Sequence, residues 1–238
     1  MKKKIIVTGG SGRFGSYLKK VKTKHDFYFP TKKQLNILSE ESIFRYLKKT
    51  KGNILIHLAG LSRPMEIHKK DINKSIDLNI VGTANITKVC SKLNVKLIYF
   101  STNYVYPGER GNYSEEDTLL PFNNYAWSKL GGECSVQLYN NSLILRVCMT
   151  EKPFVHKKAF SNIKTSFIYH NEVANILLKL LNKKGIINIG GKAMNIYNFA
   201  KKENKNVKKI RLKKKDIQKV MPLNSSVSIK KLNRIIKK

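Results

Sequence analysis

Short apolar runs alternate with amphipathic stretches along most of the chain. The runs are rich in β-branched residues, which is typical of strands covered on both faces of a sheet, and they predict strands at 5–7, 25–29, 53–58, 96–100, 142–147 and 186–189. Apolar residues at helical spacing predict helices from residue 16 and at 40–49, 71–93, 171–181 and 228–236. Strands that alternate with helices need crossover connections, so the pattern predicts a parallel sheet.

The last third of the chain is less regular than the rest, and its charge differs as well. We therefore predict an α/β fold with a Rossmann-type doubly wound parallel sheet and a small, abridged C-terminal α/β cap. The expected division is an NAD(P)-binding domain at 1–150 and a substrate-binding cap at 151–238, not contiguous in every detail. No repeats or proline-rich linkers interrupt it.

The chain is strongly basic, with 47 Lys and Arg against 15 Asp and Glu, a net charge of +32. Residues 1–150 carry +13 and the shorter part from 151 carries +19. Most of the basic residues are lysines, which are not the usual readers of bases, and no nucleic-acid-binding motif accompanies them. We expect a solvated basic surface and no specific nucleic-acid partner, although attraction for an anionic substrate or membrane surface stays compatible with the charge.

We expect neither a targeting signal nor a metal site from the sequence. The apolar run behind the first lysines is too short for a signal peptide, and no later run could cross a bilayer. Cys90, Cys134 and Cys148 are odd in number and show no metal-ligand spacing. We expect a reduced, cytoplasmic protein without a metal site.

A glycine-rich turn follows the first predicted strand and precedes a predicted helix. Glycines let the backbone approach a pyrophosphate, whose charge is met by the N–H groups that begin the helix. Small residues behind the third strand leave room for the same ligand. The predicted cofactor-binding residues of these two segments are Gly9, Ser11, Gly12, Arg13, Phe14, Gly15, Leu58, Ala59 and Gly60.

The residues behind the second strand bear on cofactor choice. In dinucleotide-binding folds an acid near this position binds the 2′-hydroxyl of NAD, whereas basic residues accommodate the 2′-phosphate of NADP. Here Lys32 and Lys33 follow the strand without an acid, and Arg13 lies within the glycine turn. The sequence favours NADP(H), with NAD(H) as the second option; the alternative is that these three are solvent charges.

Tyr125 and Lys129 lie four residues apart in a predicted helix and therefore share one face. A nearby ammonium would lower the pKa of the phenol, and such a pair can exchange a proton with a carbonyl oxygen while hydride moves to or from its carbon. In a lysine-rich chain the spacing also arises by chance, in which case the two form an exposed helix pair.

The motifs taken together are more specific than any one of them. The glycine turn, Asn79 to Thr83, Tyr99 to Gly108 and Tyr125 to Glu133 occur in the order that resembles the extended short-chain dehydrogenase/reductases, the NAD-dependent epimerase/dehydratase superfamily. Within it the chain looks most like the dTDP-4-dehydrorhamnose reductases. The resemblance implies NAD(P)H-dependent reduction of the keto group of a nucleotide-linked 4-keto-deoxysugar, for surface polysaccharide biosynthesis.

The resemblance also implies roles for single residues. Tyr125 would protonate the carbonyl oxygen, Lys129 would tune that phenol and hold the nicotinamide ribose, and Thr102 would hydrogen-bond the carbonyl oxygen. Asn79 would order the active-site helix or a proton-relay water; alternatively, it is a buried amide that satisfies backbone groups. Substrate contacts are expected from Thr102, Asn103 and Tyr125.

Two departures from the family pattern leave other functions open. Asn103 stands where rhamnose reductases usually have Asp, and the segment 150–167 is short where relatives place substrate-binding loops. The alternatives are a sugar-nucleotide epimerase, or a catalytically silent NAD(P)-binding regulatory or scaffold subunit. A homodimer is compatible with each of these functions.

Overall fold

A computed structural model describes residues 1–237 of the chain. In the first part, five strands alternate with helices: β1 (Lys4–Thr8), α1 (Arg13–Leu18), β2 (Asp26–Tyr28), α2 (Glu40–Thr50), β3 (Ile54–His57), α3 (Ile67–Lys70), α4 (Ile72–Ile76), α5 (Gly82–Lys92), β4 (Lys96–Thr102), α6 (Asn124–Gln137) and β5 (Ser142–Val147). A π-helical turn, Asp77–Val81, joins α4 to α5, so the helix predicted at 71–93 is one run with an internal bulge.

The second part contains shorter elements: β6 (Met149–Thr150), β7 (Lys158–Phe160), β8 (Lys164–Thr165), β9 (Ile168–Tyr169), α7 (His170–Leu180), β10 (Gly185–Ile189), β11 (Met194–Asn195), α8 (Ile196–Lys201), β12 (Lys208–Ile210) and α9 (Lys230–Ile236). No helix within residues 1–237 is both long and apolar enough to cross a membrane.

Six parallel strands form the central sheet in the order β10-β5-β4-β3-β1-β2, which confirms the predicted doubly wound fold. From β1 the chain moves outward to β2 and then returns to β3 on the other side of β1. The strand order therefore reverses between β1 and β3. In open α/β sheets ligands bind at such a switch point, outside the carboxyl ends of the strands.

Alternate side chains of each strand pack against helices on opposite faces of the sheet. Ile5 and Val7 face a core that contains residues of α1, α7 and α9, whereas Ile6 faces a core that contains residues of α2, α5 and α6. Because both faces are covered, every side chain of β3, β4 and β5 is buried. This burial explains why the sequences of these strands are mostly apolar.

The chain beyond residue 150 contributes to two regions. Strand β10 pairs with β5 in the central sheet, and Leu232 of α9 is buried in the sheet core. A separate small core holds the cap together, with members Phe154, Ala159, Ile163, Tyr169, Ile196, Phe199, Ala200, Val207 and Leu212. Part of the segment expected in the cap is thus integral to the sheet layer.

Candidate active site

A cavity of about 1090 Å³ lies at the carboxyl edge of the sheet, over the switch point. Its walls come from the loops that follow β1, β3, β4 and β5, from α6, and from the cap. The predicted residues that line it are Gly9, Ser11, Gly12, Arg13, Phe14, Gly15, Leu58, Ala59, Gly60, Thr102, Asn103, Tyr125 and Lys129. Typical ligand cavities measure roughly 300–1,000 Å³, so this cavity is at the upper end of that range.

Two glycines let the β1 loop pack closely against its neighbours. Gly9 has a φ of +70°, and a Cβ there would lie 2.6 Å from the backbone nitrogen of Ala59. A Cβ at Gly15 would lie 2.7 Å from Cα of Gly10. A side chain at either position would push the loop away from β3 or unfold its turn, so the narrow phosphate-sized cradle depends on glycine.

Thr102 ends β4, and Tyr125 stands in the first turn of α6, whose N-cap is Asn123 (Oδ1 accepts from the Ala126 N–H, 2.8 Å). The cap fixes the start of the helix and with it the direction of Tyr125. Burial raises the pKa of Tyr125, so the phenol keeps its proton near neutral pH, while the hydroxyl of Thr102 and the charge of Arg13 act in the opposite direction. Lys129 was expected to lower the pKa of Tyr125, but it is not among the groups that shift this pKa.

Lys129 lies one turn further along α6 and is buried. Its Nζ is 4.1 Å from the centroid of the Tyr99 ring, and Tyr99 Oη donates to the Lys129 carbonyl (3.0 Å). Burial lowers the pKa of Lys129 to about 7, opposed by the carboxylate of Glu133. The amine is therefore only partly protonated at neutral pH in the free protein.

Asn79 does not line the cavity but connects two segments that do. From the π-helical turn, its Nδ2 donates to the carbonyl of Leu61 (2.9 Å) and to Ser128 Oγ (2.8 Å), and its Oδ1 accepts from the Leu61 N–H (2.7 Å). The amide thus links the loop behind β3 to α6 through protein groups alone. π-helical turns often mark functional sites because they re-aim one side chain.

The two other predicted residues with distinctive positions are Asn103 and Lys32. Asn103 lines the cavity, and its Nδ2 donates to the carbonyl of Ser225 (3.0 Å), which attaches the β4 edge to the C-terminal segment. Lys32 is exposed in the turn behind β2 and is not among the cavity-lining residues. Its role in cofactor binding stays a prediction.

Three charged side chains from three separate segments meet at the cavity, and sequence reasoning missed two of them. Glu151 Oε1 accepts from Arg13 Nη1 (2.7 Å) and from Arg63 Nη1 (3.3 Å). Arg63 lies six residues after the end of β3, so its place near the sheet edge could have been predicted from the strand pattern. No sequence signal marked Glu151 or the cap residues His156, Phe160, Ile196 and Met221, which close the cavity from above.

The doubly wound sheet, the glycine loop at its switch point and the Tyr and Lys one helical turn apart define a Rossmann-type protein of the extended short-chain dehydrogenase/reductase class. The sequence profile of the RmlD substrate binding domain matches residues 2–184, and the chain belongs to that family. The predicted family resemblance is confirmed.

Two sequence relatives carry different names. Methionine adenosyltransferase 2 subunit beta of Xenopus laevis is 30% identical over 156 residues, which cover 61% of this chain and 46% of that protein. The dTDP-4-dehydrorhamnose reductase of Aggregatibacter actinomycetemcomitans is 25% identical over 152 residues, which cover 62% and 51%. The matched segment thus spans about half the length of these relatives.

Solved structures share the fold across nearly the whole chain. The dTDP-4-dehydrorhamnose reductase of Bacillus anthracis, in complex with NADP, has a TM-score of 0.87 at 23% identity and covers 98% of this chain and 93% of its own. The Bordetella bronchiseptica enzyme WbmG, in complex with NAD and UDP, has a TM-score of 0.79 at 17% identity, with coverages of 100% and 89%. These likenesses establish a shared fold.

Proposed function

We propose that this chain is an NADP(H)-dependent reductase of a nucleotide-linked 4-keto-deoxysugar, similar to dTDP-4-dehydrorhamnose reductase. The observation that carries the proposal is the convergence of Thr102, Tyr125 and Lys129 on the cavity that the glycine loop also lines. Binding alone does not require a protonated phenol in that place. The names of the reductases from Bacillus anthracis and Aggregatibacter actinomycetemcomitans support the same substrate class.

The cavity fits a dinucleotide cofactor. The cradle at Gly9 and Gly15 is too close for side chains, and the charged residues of the lining are predominantly basic, which suits a diphosphate. When bound, the reduced cofactor supplies a hydride for the carbonyl carbon. The glycine loop and Leu58 to Gly60 would hold it, with Lys129 near its ribose. NADP(H) stays the preferred form, and the structures with NADP and with NAD support both options.

Tyr125 is suited to act as the acid in this reaction. Its raised pKa keeps the proton on Oη, ready for the substrate carbonyl oxygen as that oxygen gains negative charge. The hydroxyl of Thr102 would donate a hydrogen bond to the same oxygen. After transfer, the phenolate is favoured by Thr102 and by the positive charge of Arg13, and the proton that left Oη completes the alcohol.

The cap would bind the sugar nucleotide. Phe160, Phe167, Ile196 and Met221 line the side of the cavity opposite the sheet and would exclude water from the reacting atoms. We therefore keep the division into a cofactor-binding part and a substrate-binding cap as a proposal, with α7, β10 and α9 assigned to the cofactor-binding part.

A reductase assay tests the proposal. The wild type is offered NADPH with a panel of 4-keto sugar nucleotides, beside the variants Tyr125→Phe and Tyr46→Phe. Tyr46 is a matched control because it lies on α2, away from the cavity. Turnover by the wild type should fall by about 10²- to 10⁴-fold in Tyr125→Phe and stay unchanged in Tyr46→Phe. Full activity of Tyr125→Phe would overturn the assigned chemistry.

A non-catalytic subunit role is the second candidate. It is favoured by seven sequence relatives from vertebrates that bear the name methionine adenosyltransferase 2 subunit beta. The same assay separates the two candidates. A wild type that binds NADPH with ordinary affinity but reduces no member of the panel would support the subunit role.

A further inference from the structure

The carboxylate of Glu151 bridges the two sides of the switch point. Arg13 is the first residue of α1, directly after the loop behind β1; Arg63 belongs to the loop behind β3, and Glu151 directly follows β6. The shorter contact, 2.7 Å, joins Glu151 to Arg13, whose Nη2 also lies 3.3 Å from Ser62 Oγ. Glu151 is the least accessible member of the cluster, with 15% of its side chain exposed, against 43% and 46% for the two arginines.

Glu151 is also the one acidic residue among those that line the cavity within residues 1–237. The lining includes five Lys or Arg: Arg13, Arg63, Lys129, Lys157 and Lys158. The adjoining ring of His170 is buried against Phe14 and Tyr17, and burial lowers its pKa. Arg13, Arg63 and Glu151 together carry a net charge of +1, and without Glu151 the two arginines would carry +2.

Carboxylate and phosphate groups are bound by arginine through the same forked N–H geometry. From this we infer that Arg13 and Arg63 form a clamp for a diphosphate that crosses the switch point, and that Glu151 is the internal counter-ion which this diphosphate displaces. The inference rests on the proposed function for the identity of the ligand, because both a dinucleotide and a sugar nucleotide contain a diphosphate.

Glu151 and the diphosphate compete for the same two arginines, and this competition determines how a substitution changes diphosphate affinity. Bringing a diphosphate to Arg13 and Arg63 requires their hydrogen bonds to Glu151 to break, and the carboxylate left nearby repels the ligand. Glutamine at position 151 has nearly the same size, no charge and weaker hydrogen bonds to the guanidinium groups. Removal of the charge should therefore strengthen diphosphate binding, whereas loss of either arginine should weaken it.

The test is equilibrium binding of NADPH and, separately, of dTDP to the wild type and to Glu151→Gln, Arg63→Gln and Glu203→Gln. Glu203 is the matched control. This cap glutamate pairs with Lys152 (3.3 Å) and lies outside the cavity lining, and its replacement by glutamine changes the total charge of the protein by the same amount. For one of the two ligands, Glu151→Gln should tighten binding about tenfold and Arg63→Gln should weaken it about tenfold, or about 1.4 kcal/mol each. Glu203→Gln should change neither by more than about twofold.

The two ligands separate the sources of the diphosphate. If the substitutions change NADPH affinity, the clamp binds the diphosphate of the cofactor; if they change dTDP affinity, it binds the diphosphate of the substrate. Weaker binding of both ligands in Glu151→Gln, no change, or an equal gain in Glu203→Gln would overturn the inference. Thermal melting of each variant verifies folding; if Glu151→Gln does not fold, Glu151→Met, which also removes the charge at a similar size, takes its place with the same expected direction. Because no turnover is measured, an inactive protein can still pass this test.

Discussion

The ammonium of Lys129 lies 4.1 Å from the centroid of the Tyr99 ring, and Tyr99 Oη donates a hydrogen bond to the backbone carbonyl of the same lysine. Tyr99 is completely buried in the layer beneath the cavity. One residue of β4 thus contacts both the side chain and the backbone of Lys129. Desolvation disfavours the charged amine, and the face of the ring partly compensates for it.

Replacement of the Tyr99 ring should therefore affect Lys129 through its charge. In Tyr99→Leu the cation–π contact, worth about 0.5–2 kcal/mol, is lost, which lowers the charged fraction of Lys129, so NADPH affinity at pH 7 should fall by about 2- to 15-fold. Tyr99→Phe keeps the ring and should retain most of the affinity. Binding titrations across pH provide the decisive measurement: the midpoint should move to lower pH in Tyr99→Leu only, and an unmoved midpoint would limit Tyr99 to a packing role.

Cofactor binding should weaken as pH rises through about 7. The pKa of Lys129 is lowered to about 7 by burial, so above that value the amine loses the charge that attracts the anionic cofactor. Titrations with NADH avoid the additional phosphate of NADPH. Lys129→Arg stays protonated throughout and should remove this pH dependence, and Lys129→Met should bind weakly at every pH. An identical slope in Lys129→Met would assign the titration to another group.

The buried ion pair of Arg146 and Glu133 should be essential for stability. Their side chains are 2% and 0% exposed, Nη2 lies 2.6 Å from Oε1, and Arg146 Nη1 donates to Tyr106 Oη (2.8 Å). Glu133→Ala leaves an uncompensated buried guanidinium and should cost about 3–5 kcal/mol of unfolding free energy. Urea denaturation measures the loss, with the exposed Lys2→Ala as a control that should change little. Equal small losses in both variants would contradict this view.

His57 should contribute to unfolding in acid. The ring is buried between Thr8 (Nδ1 to Oγ1, 2.8 Å) and Thr83 (Nε2 to Oγ1, 3.1 Å), and burial lowers its pKa to about 3 from 6.5. Between these values the unfolded chain binds a proton that the folded chain does not, so stability falls as pH decreases from 6.5 to 3.

The measurement for His57 is the pH dependence of the unfolding free energy. His57→Gln should lower the slope between pH 6.5 and 4, even though the substitution also reduces stability at pH 7.5. His156→Gln, at an exposed position, serves as the control and should leave the slope unchanged. A slope that persists in His57→Gln would assign acid sensitivity to other groups.

Much of the sheet layer could be predicted from the local sequence. Parallel strands covered on both faces are mostly apolar, so the predicted strands at 53–58, 96–100 and 142–147 stand out as apolar runs, although β5 also contains the buried Arg146. The glycine loop and the Tyr125–Lys129 spacing are equally local, because a turn and a helix face are defined within a few residues. The carboxyl ends of neighbouring strands necessarily share an edge, which brought these motifs to one cavity.

Contacts between distant segments were decided by the tertiary structure. The bridge from Glu151 to Arg13 and Arg63 joins residues 138 and 88 positions apart, and no local pattern encodes such a pairing. The cap strands are two or three residues long, too short for a periodic signal. The direction of the Lys129 amine was likewise open, because helix spacing determines the face of a side chain, whereas burial and the Tyr99 ring determine its contact and its charge.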